Sequence, residues 1–368
     1  MNDPETLETR PRTRRAAATV LLPAVALVLA AVLLPGCDRT PRLVPAPDDS
    51  TEAMAEDPYE VMLRNAARAW EAGALDDAAD LTSRVLRIDL GDRPPGSWAA
   101  RAVSLLDSMT VGAEVRGDEC AIVVNLFARA NPTGPSWPYA FWCDGDSARR
   151  QKIEGEGLRL LDVAARDVGG AMADRGLAVL YGRGGGAGVM PTLMVWKAQG
   201  HTWKLAQTLG PDSLGGTGKG EFRRGGEGIE LVTHTFRISR GFVECASCPH
   251  VNAERRFLWS GDEFTKLDER LERTPYATFV QFVQALRAAD YTGARSLVAD
   301  DNVIGRALDF GWGRSREPWR VAPGTHDRAS EMVFFHGQTE AYRVWFDPYG
   351  ADWAIASVDT TTRTLEVE

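Results

Sequence analysis

Residues 16–34 of this chain, AAATVLLPAVALVLAAVLL, carry no charge, and Arg10, Arg12, Arg14 and Arg15 stand just ahead of them. A basic segment, an apolar run and a small residue before the processing point are the three parts of a secretory signal. The same run, left uncut, is long enough to span a bilayer. Both outcomes leave the rest of the chain tethered outside the cytoplasm, so any fold has to be built downstream of residue 36 and in that compartment.

The run ends in Leu34-Pro35-Gly36-Cys37. Leu34, Gly36 and Cys37 resemble the lipobox of bacterial lipoproteins, in which the leader is cut before an acylated cysteine; Pro35 departs from the small or branched residue usual there. The resemblance implies a lipid anchor on Cys37 and a membrane as the first partner. More than one acyl chain suits such an anchor, because a single chain binds a bilayer only marginally. Removing Cys37 from the five cysteines leaves Cys120, Cys143, Cys245 and Cys248. An even remainder in an oxidising compartment fits disulfides. Four cysteines allow three pairings, and closeness in sequence favours Cys120 with Cys143 and Cys245 with Cys248.

The chain has 42 Lys+Arg against 51 Asp+Glu; without the leader these become 38 and 48, a net charge of −10. Nucleic-acid partners are excluded on that balance, since phosphate binding relies on clustered cations. Residues 37–57, rich in proline and acids, read as a disordered tether behind the lipidated cysteine.

Residues 58–112 have helical periodicity, with Met62, Leu63, Ala66, Ala69 and Trp70 on one face and Leu75, Ala78, Leu81, Val85 and Leu86 on a second. The stretch from Ala69 to Ile88 resembles a tetratricopeptide repeat, with Thr82 where an aromatic is usual. One repeat cannot stand alone, so a helical hairpin capping the next domain is expected. Residues 113–270 change to a strand period, with strands expected at 121–128, 139–143, 157–163, 177–181, 192–197, 202–206, 229–238 and 255–267. Segments such as LMVWKAQGHTWKL and RRFLWSGDEFTKL are similar to blades of FG-GAP or integrin-like propellers. That family's calcium loop is not matched, because Asp162, Asp167 and Asp174 are too widely spaced for a local oxygen cage. Residues 271–368 begin with Thr274 as N-cap and Pro275 in the first turn. A helix, a short helix at 292–298 and strands at 319–321, 332–336, 341–347 and 353–358 look like the NTF2-like α+β cone.

In Cys245-Ala246-Ser247-Cys248-Pro249-His250 the intervening Pro249 argues against haem attachment; zinc would need His234 of the preceding strand as a fourth ligand beside the two cysteines and His250, and thiols exported to an oxidising space are expected to be paired already. A thioredoxin-like site wants its first cysteine at a helix N-terminus, whereas strands flank this one. A disulfide at a hairpin tip remains. GGTGKGEFRRGGEG (215–228) lacks the spacing of a phosphate-binding loop, with Ser213 and Gly220 at the positions that decide it, and reads as a flexible hairpin loop. The five histidines, His201, His234, His250, His326 and His336, form no constellation.

The sequence therefore predicts an α+β chain: leader 1–36, tether 37–57, helical hairpin 58–112, antiparallel β domain 113–270 and NTF2-like domain 271–368. Its expected role is a non-catalytic, membrane-anchored extracytoplasmic lipoprotein that engages an envelope or extracellular protein, with no cofactor and no metal. The alternative is a small apolar ligand held in the C-terminal cone by Phe279, Phe282, Tyr342, Trp345, Asp347 and Trp353, or an isomerase or hydrolase there.

Overall fold

The structure, a computed structural model, describes residues 56–144, 147–165, 176–185, 188–225, 228–350 and 352–362. The leader, Cys37 and most of the tether lie outside the described residues, as do Asp167 and Asp174. The described part is α+β, with four four-stranded antiparallel sheets and a minority of helix.

Three helices come first: α1 (Pro58–Glu71), α2 (Leu75–Gly91) and α3 (Trp98–Ser108). Asp57 caps α1 by accepting from the Tyr59 amide at 2.9 Å, which satisfies a donor the helix cannot. Between α1 and α2 the turn needs a left-handed residue, and Gly73 supplies it with φ of 73°. Thr82 is fully buried where an aromatic was noted as missing; it donates to Ala78 O at 2.7 Å and accepts from Trp70 Nε1 at 2.9 Å. The Trp70 indole occupies that space instead and meets Trp137 edge-on.

Three consecutive meanders follow. The first sheet is β1 (Gly112–Gly117), β2 (Ala121–Phe127), β3 (Ser136–Asp144) and β4 (Ser147–Lys152). The second is β5 (Arg159–Ala164), β6 (Gly176–Gly185), β7 (Gly188–Gln199) and β8 (Thr202–Leu209). After the short helix α4 (Pro211–Leu214) come β9 (Thr217–Gly225), β10 (Gly228–Phe236), β11 (Asn252–Trp259) and β12 (Phe264–Leu271). Side chains alternate across each strand, and the alternation explains the layering. Ile122 and Phe141 face the helices, while Val123 and Ala140 face the second sheet; Leu177 and Trp196 face back to the first sheet, while Ala178 and Val195 face the third. Leu231 and Phe257 complete the last of these cores. Helices, sheet, sheet and sheet are thus stacked in chain order.

Two expectations fail here. Residues 215–228 are not a flexible loop: 217–225 form strand β9, paired along its length with β10. Glycine is required rather than permissive at Gly218, where an added Cβ would lie 2.1 Å from the His234 carbonyl oxygen. Residues 255–267 are not one strand but parts of β11 and β12, separated by a turn at 260–263 in which Ser260 N donates to Glu263 O.

The fourth sheet, β13 (Trp319–Val321), β14 (Glu331–His336), β15 (Glu340–Tyr349) and β16 (Asp352–Thr360), packs against α5 (Pro275–Arg287), α6 (Tyr291–Arg295) and α7 (Asn302–Asp309). Thr274 caps α5 as expected, its hydroxyl accepting from the Ala277 amide at 3.1 Å. The connection from β10 to β11, residues 237–251, leaves the third sheet and crosses this core: Phe242 is buried in it and bridges Trp319, and Cys248 and Val251 pack against it.

Candidate functional sites

The two joints among the first three sheets carry, beside their apolar cores, the same two devices. At the inner edge a carboxylate on the first strand of one sheet takes a backbone amide from the first strand of the next. Glu114 accepts from Leu160 N at 2.5 Å and from Arg159 Nε at 2.8 Å; Asp162 accepts from Phe222 N at 2.7 Å. At the outer edge a glutamine on the fourth strand clasps the backbone of the next fourth strand in both directions. Gln151 donates to Trp203 O at 2.8 Å and accepts from Trp203 N at 2.7 Å. Gln207 does the same to Phe264, at 3.0 and 2.8 Å. A primary amide is the side chain that can both give and take along one strand edge. Asp162, weighed above as a calcium ligand, is spent on this joint. Among the described residues no three His, Cys, Asp or Glu side chains are grouped to hold a metal.

Two grooves open beside the inner strands. One, of about 350 Å³, is lined by Leu161, Val189, Lys219, Glu221, His234 and the backbone of Gly218 and Gly220. The other, about 190 Å³, lies where the three inner strands converge, among Asp118, Asp162, Phe222, Arg223 and Arg224. Neither brings together a nucleophile and a base: His234 faces Glu254 at 3.7 Å, and Arg224 faces Asp118 at 3.5 Å.

The structure assembles two titratable chains that spacing did not reveal. Beneath the 237–251 connection the fully buried Glu244 carboxylate accepts from Tyr276 OH at 2.8 Å and contacts His250 Nδ1 at 2.9 Å. The His250 ring stacks on Phe236 with centroids 3.6 Å apart. Burial first, and then the Glu244 charge, push the Tyr276 phenol far above its ordinary range. On the fourth sheet His336 Nδ1 lies 2.6 Å from Glu340, which also accepts from Tyr342 OH at 3.0 Å. Here burial, then the bond to Glu340, raise Tyr342 to about 12. His250 Nε2 and His336 Nε2 are both buried and have no hydrogen-bond partner. Each ring is also held by stacking, His250 on Phe236 and His336 on Trp319. His336 and Glu340 are a cross-strand pair of the β14–β15 hairpin, which alternation around Gly337 could have exposed. Glu244 and Tyr276 are 32 positions apart, and no local pattern connects them.

The residues expected to line a C-terminal pocket fall in different places. Phe279, Phe282 and Tyr342 are buried in the core. Phe279 stacks on Phe334 at 3.6 Å and meets Trp312 and Trp319 edge-on at 5.5 and 5.2 Å. Phe282 and Tyr342 also touch Trp312. Trp345 and Trp353 are half-buried, Asp347 is exposed, and Arg343 sits over the Trp345 ring. The three core rings are held by other rings, with Asp347 outside their contact set.

Cys245 and Cys248 are joined by a disulfide, their Cα atoms 5.0 Å apart, inside the connection between the paired strands β10 and β11. Cys143 lies in β3, and Cys120 precedes β2 by one residue, just beyond the ladder pair Ala121 and Trp142. Among the described residues no helix is long and apolar enough to cross a membrane. Compared with known proteins, the chain matches no protein-family model, no curated sequence and no solved structure.

Proposed function

We propose that this chain is an exported lipoprotein, acylated on Cys37 and held on the outer face of a cell membrane, where its folded part is a non-catalytic platform for an envelope or extracellular protein. The observation that carries the reading is the Leu34–Cys37 box behind a basic, then uncharged, leader. The Cys245–Cys248 disulfide agrees with an oxidising compartment, and a Cys120–Cys143 bond across β2 and β3 would be its companion.

Within that reading α1 and α2 are a tetratricopeptide-like cap, the three stacked meanders are propeller-like blades, and the helices with the fourth sheet are an NTF2-like unit. The packed aromatic core supports a scaffold over the alternative of a small apolar ligand in that unit. The experiment is metabolic labelling with a fatty-acid probe: the native chain takes up label and partitions with membranes, and Cys37→Ala does neither. An unlabelled native chain recovered whole from the cytosol overturns the proposal. Non-reducing peptide mapping is expected to find all four remaining cysteines oxidised.

A further inference from the structure

The chain is acidic overall, and most of its described arginines face a carboxylate: Arg84, Arg101, Arg150, Arg159, Arg256 and Arg273 are examples. One place differs. The 237–243 segment and the 313–320 segment lie side by side, with Val243 N donating to Trp319 O at 2.8 Å and Trp319 N to Gly241 O at 2.9 Å. Together they carry Arg237, Arg240, Arg314, Arg316 and Arg320 against one acid, Glu317. Arg287 of α5 enters between them, donating to Glu317 O at 2.9 Å. None of these six guanidinium groups has a carboxylate partner among the described residues: Arg237, Arg287 and Arg320 donate to backbone carbonyls, and Arg240, Arg314 and Arg316 are exposed. Glu244 is close in sequence, but its carboxylate is buried against Tyr276 and His250.

Two large aliphatic side chains project from the same segment, Ile238 at 61% and Val243 at 52% exposure. Exposed arginines flanking exposed aliphatics suit an interface whose outer layer is anionic and whose interior is apolar. A polar acidic peptide would use the arginines and leave Ile238 and Val243 without a counterpart. An acyl anchor is commonly supported by a second, basic signal, and here the folded part supplies one.

We infer that the Arg237–Val243 and 313–320 surface docks on anionic phospholipid headgroups, turning this face of the protein toward the bilayer, with Ile238 and Val243 entering the headgroup boundary. The inference rests on the membrane-anchored reading above, and the test keeps the two separate. Full-length chain purified from membranes is reconstituted into vesicles of phosphatidylcholine alone or with phosphatidylglycerol added, and hydrogen exchange is followed on peptides covering 237–243 and 313–320. Both are expected to exchange more slowly in the phosphatidylglycerol vesicles only, with the difference lost at high salt. A basic side chain beside an anionic surface strengthens association by a factor of about five. Arg240→Glu with Arg316→Glu therefore weakens docking by a factor of about thirty or more, while Arg87→Glu on α2 leaves it unchanged. Equal exchange in both vesicles, or the same slowing produced by polyglutamate without vesicles, overturns lipid docking. The mass of the Cys37 peptide in the same digest reports acylation. An unacylated chain that is still shielded by anionic vesicles refutes the anchor and leaves the docking surface standing.

Discussion

Gln207→Ala tests the physical account of how the β layers are joined. The side chain makes two hydrogen bonds to the Phe264 backbone, at 3.0 and 2.8 Å, and Phe264 itself is buried. Each bond contributes about 1 kcal/mol net, and a buried group left without a partner costs about 1–3 kcal/mol. Gln207 is half-buried, so water can reach part of the vacated edge. The expected loss is about 2 kcal/mol, which for a folded part of this size lowers Tm by about 3 °C. Urea unfolding followed by tryptophan fluorescence measures it, with Trp196, Trp203 and Trp259 reporting on the second and third sheets. Gln199→Ala, on an exposed side chain at the end of β7, is the control and stays within about 0.5 kcal/mol. Gln207→Glu keeps the acceptor for Phe264 N but sets a carboxylate oxygen against Phe264 O, so it loses at least as much as the alanine variant. A Gln207→Ala protein indistinguishable from the control, or a Gln207→Glu protein as stable as the native one, would show that apolar contact alone holds the sheets.

Phe279→Ala removes a ring wedged among Phe334, Trp312 and Trp319 and is expected to cost about 3–5 kcal/mol; a loss under about 1 kcal/mol in chemical unfolding would mean that the core between α5 and the fourth sheet is hollow. The Cys245–Cys248 bond closes a loop of only four residues, so replacing both by serine is expected to lower stability by about 2 kcal/mol, whereas global unfolding of the variant would refute so local a role. Tyr342 has a folded pKa of about 12, above its ordinary 10.0, so the folded state holds that proton more tightly than the unfolded chain. Its contribution is complete below about pH 10 and lost as pH rises toward 12. The stability of Tyr342→Phe is therefore expected to fall less steeply over that window, and parallel pH curves would contradict the assignment.

What could be read in advance was local. Thr274 and Pro275 announced α5 because capping chemistry is contained in four residues. The strands of the fourth sheet were expected within two residues of where they lie, since Trp, Phe, Tyr, Ile and Val are concentrated there between turn residues. Strand β9 was missed because its glycines look like flexibility, yet close approach to the His234 carbonyl is what requires one of them. β1 and β4 were missed because polar residues, Glu114 and Arg116 on one and Ser147, Arg149 and Gln151 on the other, dilute the apolar signal, although Glu114 and Gln151 are spent on the joint to the second sheet. Of the site residues, the two cysteines were legible from spacing and compartment; the Glu244, Tyr276 and His250 chain was not, because its members meet only when the 237–251 connection is laid over α5.

Charge on the far face of the third sheet ends the stack of meanders at three sheets. Equivalent positions recur about 55 to 60 residues apart: Ile122, Leu177 and Leu231 face the preceding layer, as do Phe141, Trp196 and Phe257, each pair adjacent in its ladder. The positions facing the next layer are Val123 with Ala140, then Ala178 with Val195, and finally Val232 with Arg256. In the third sheet that last arginine is bound to Glu230 at 2.7 Å and lies 3.8 Å from Asp268, which in turn meets Arg270 at 3.5 Å. Asp268 occupies the place that Gln207 holds on β8, after the same bulge in the ladder. Arg224 lies two residues past Phe222, as Asp162 lies two past Leu160, so the inner joint also ends with a charge of the wrong sign to accept another amide. A ladder of paired charges keeps its favourable energy only while water reaches it, because desolvating ion pairs costs more than their attraction returns. The last sheet therefore presents a face that another apolar layer cannot cover, just as the helices close the first, and terminal repeats of stacked folds end in polar faces for this reason.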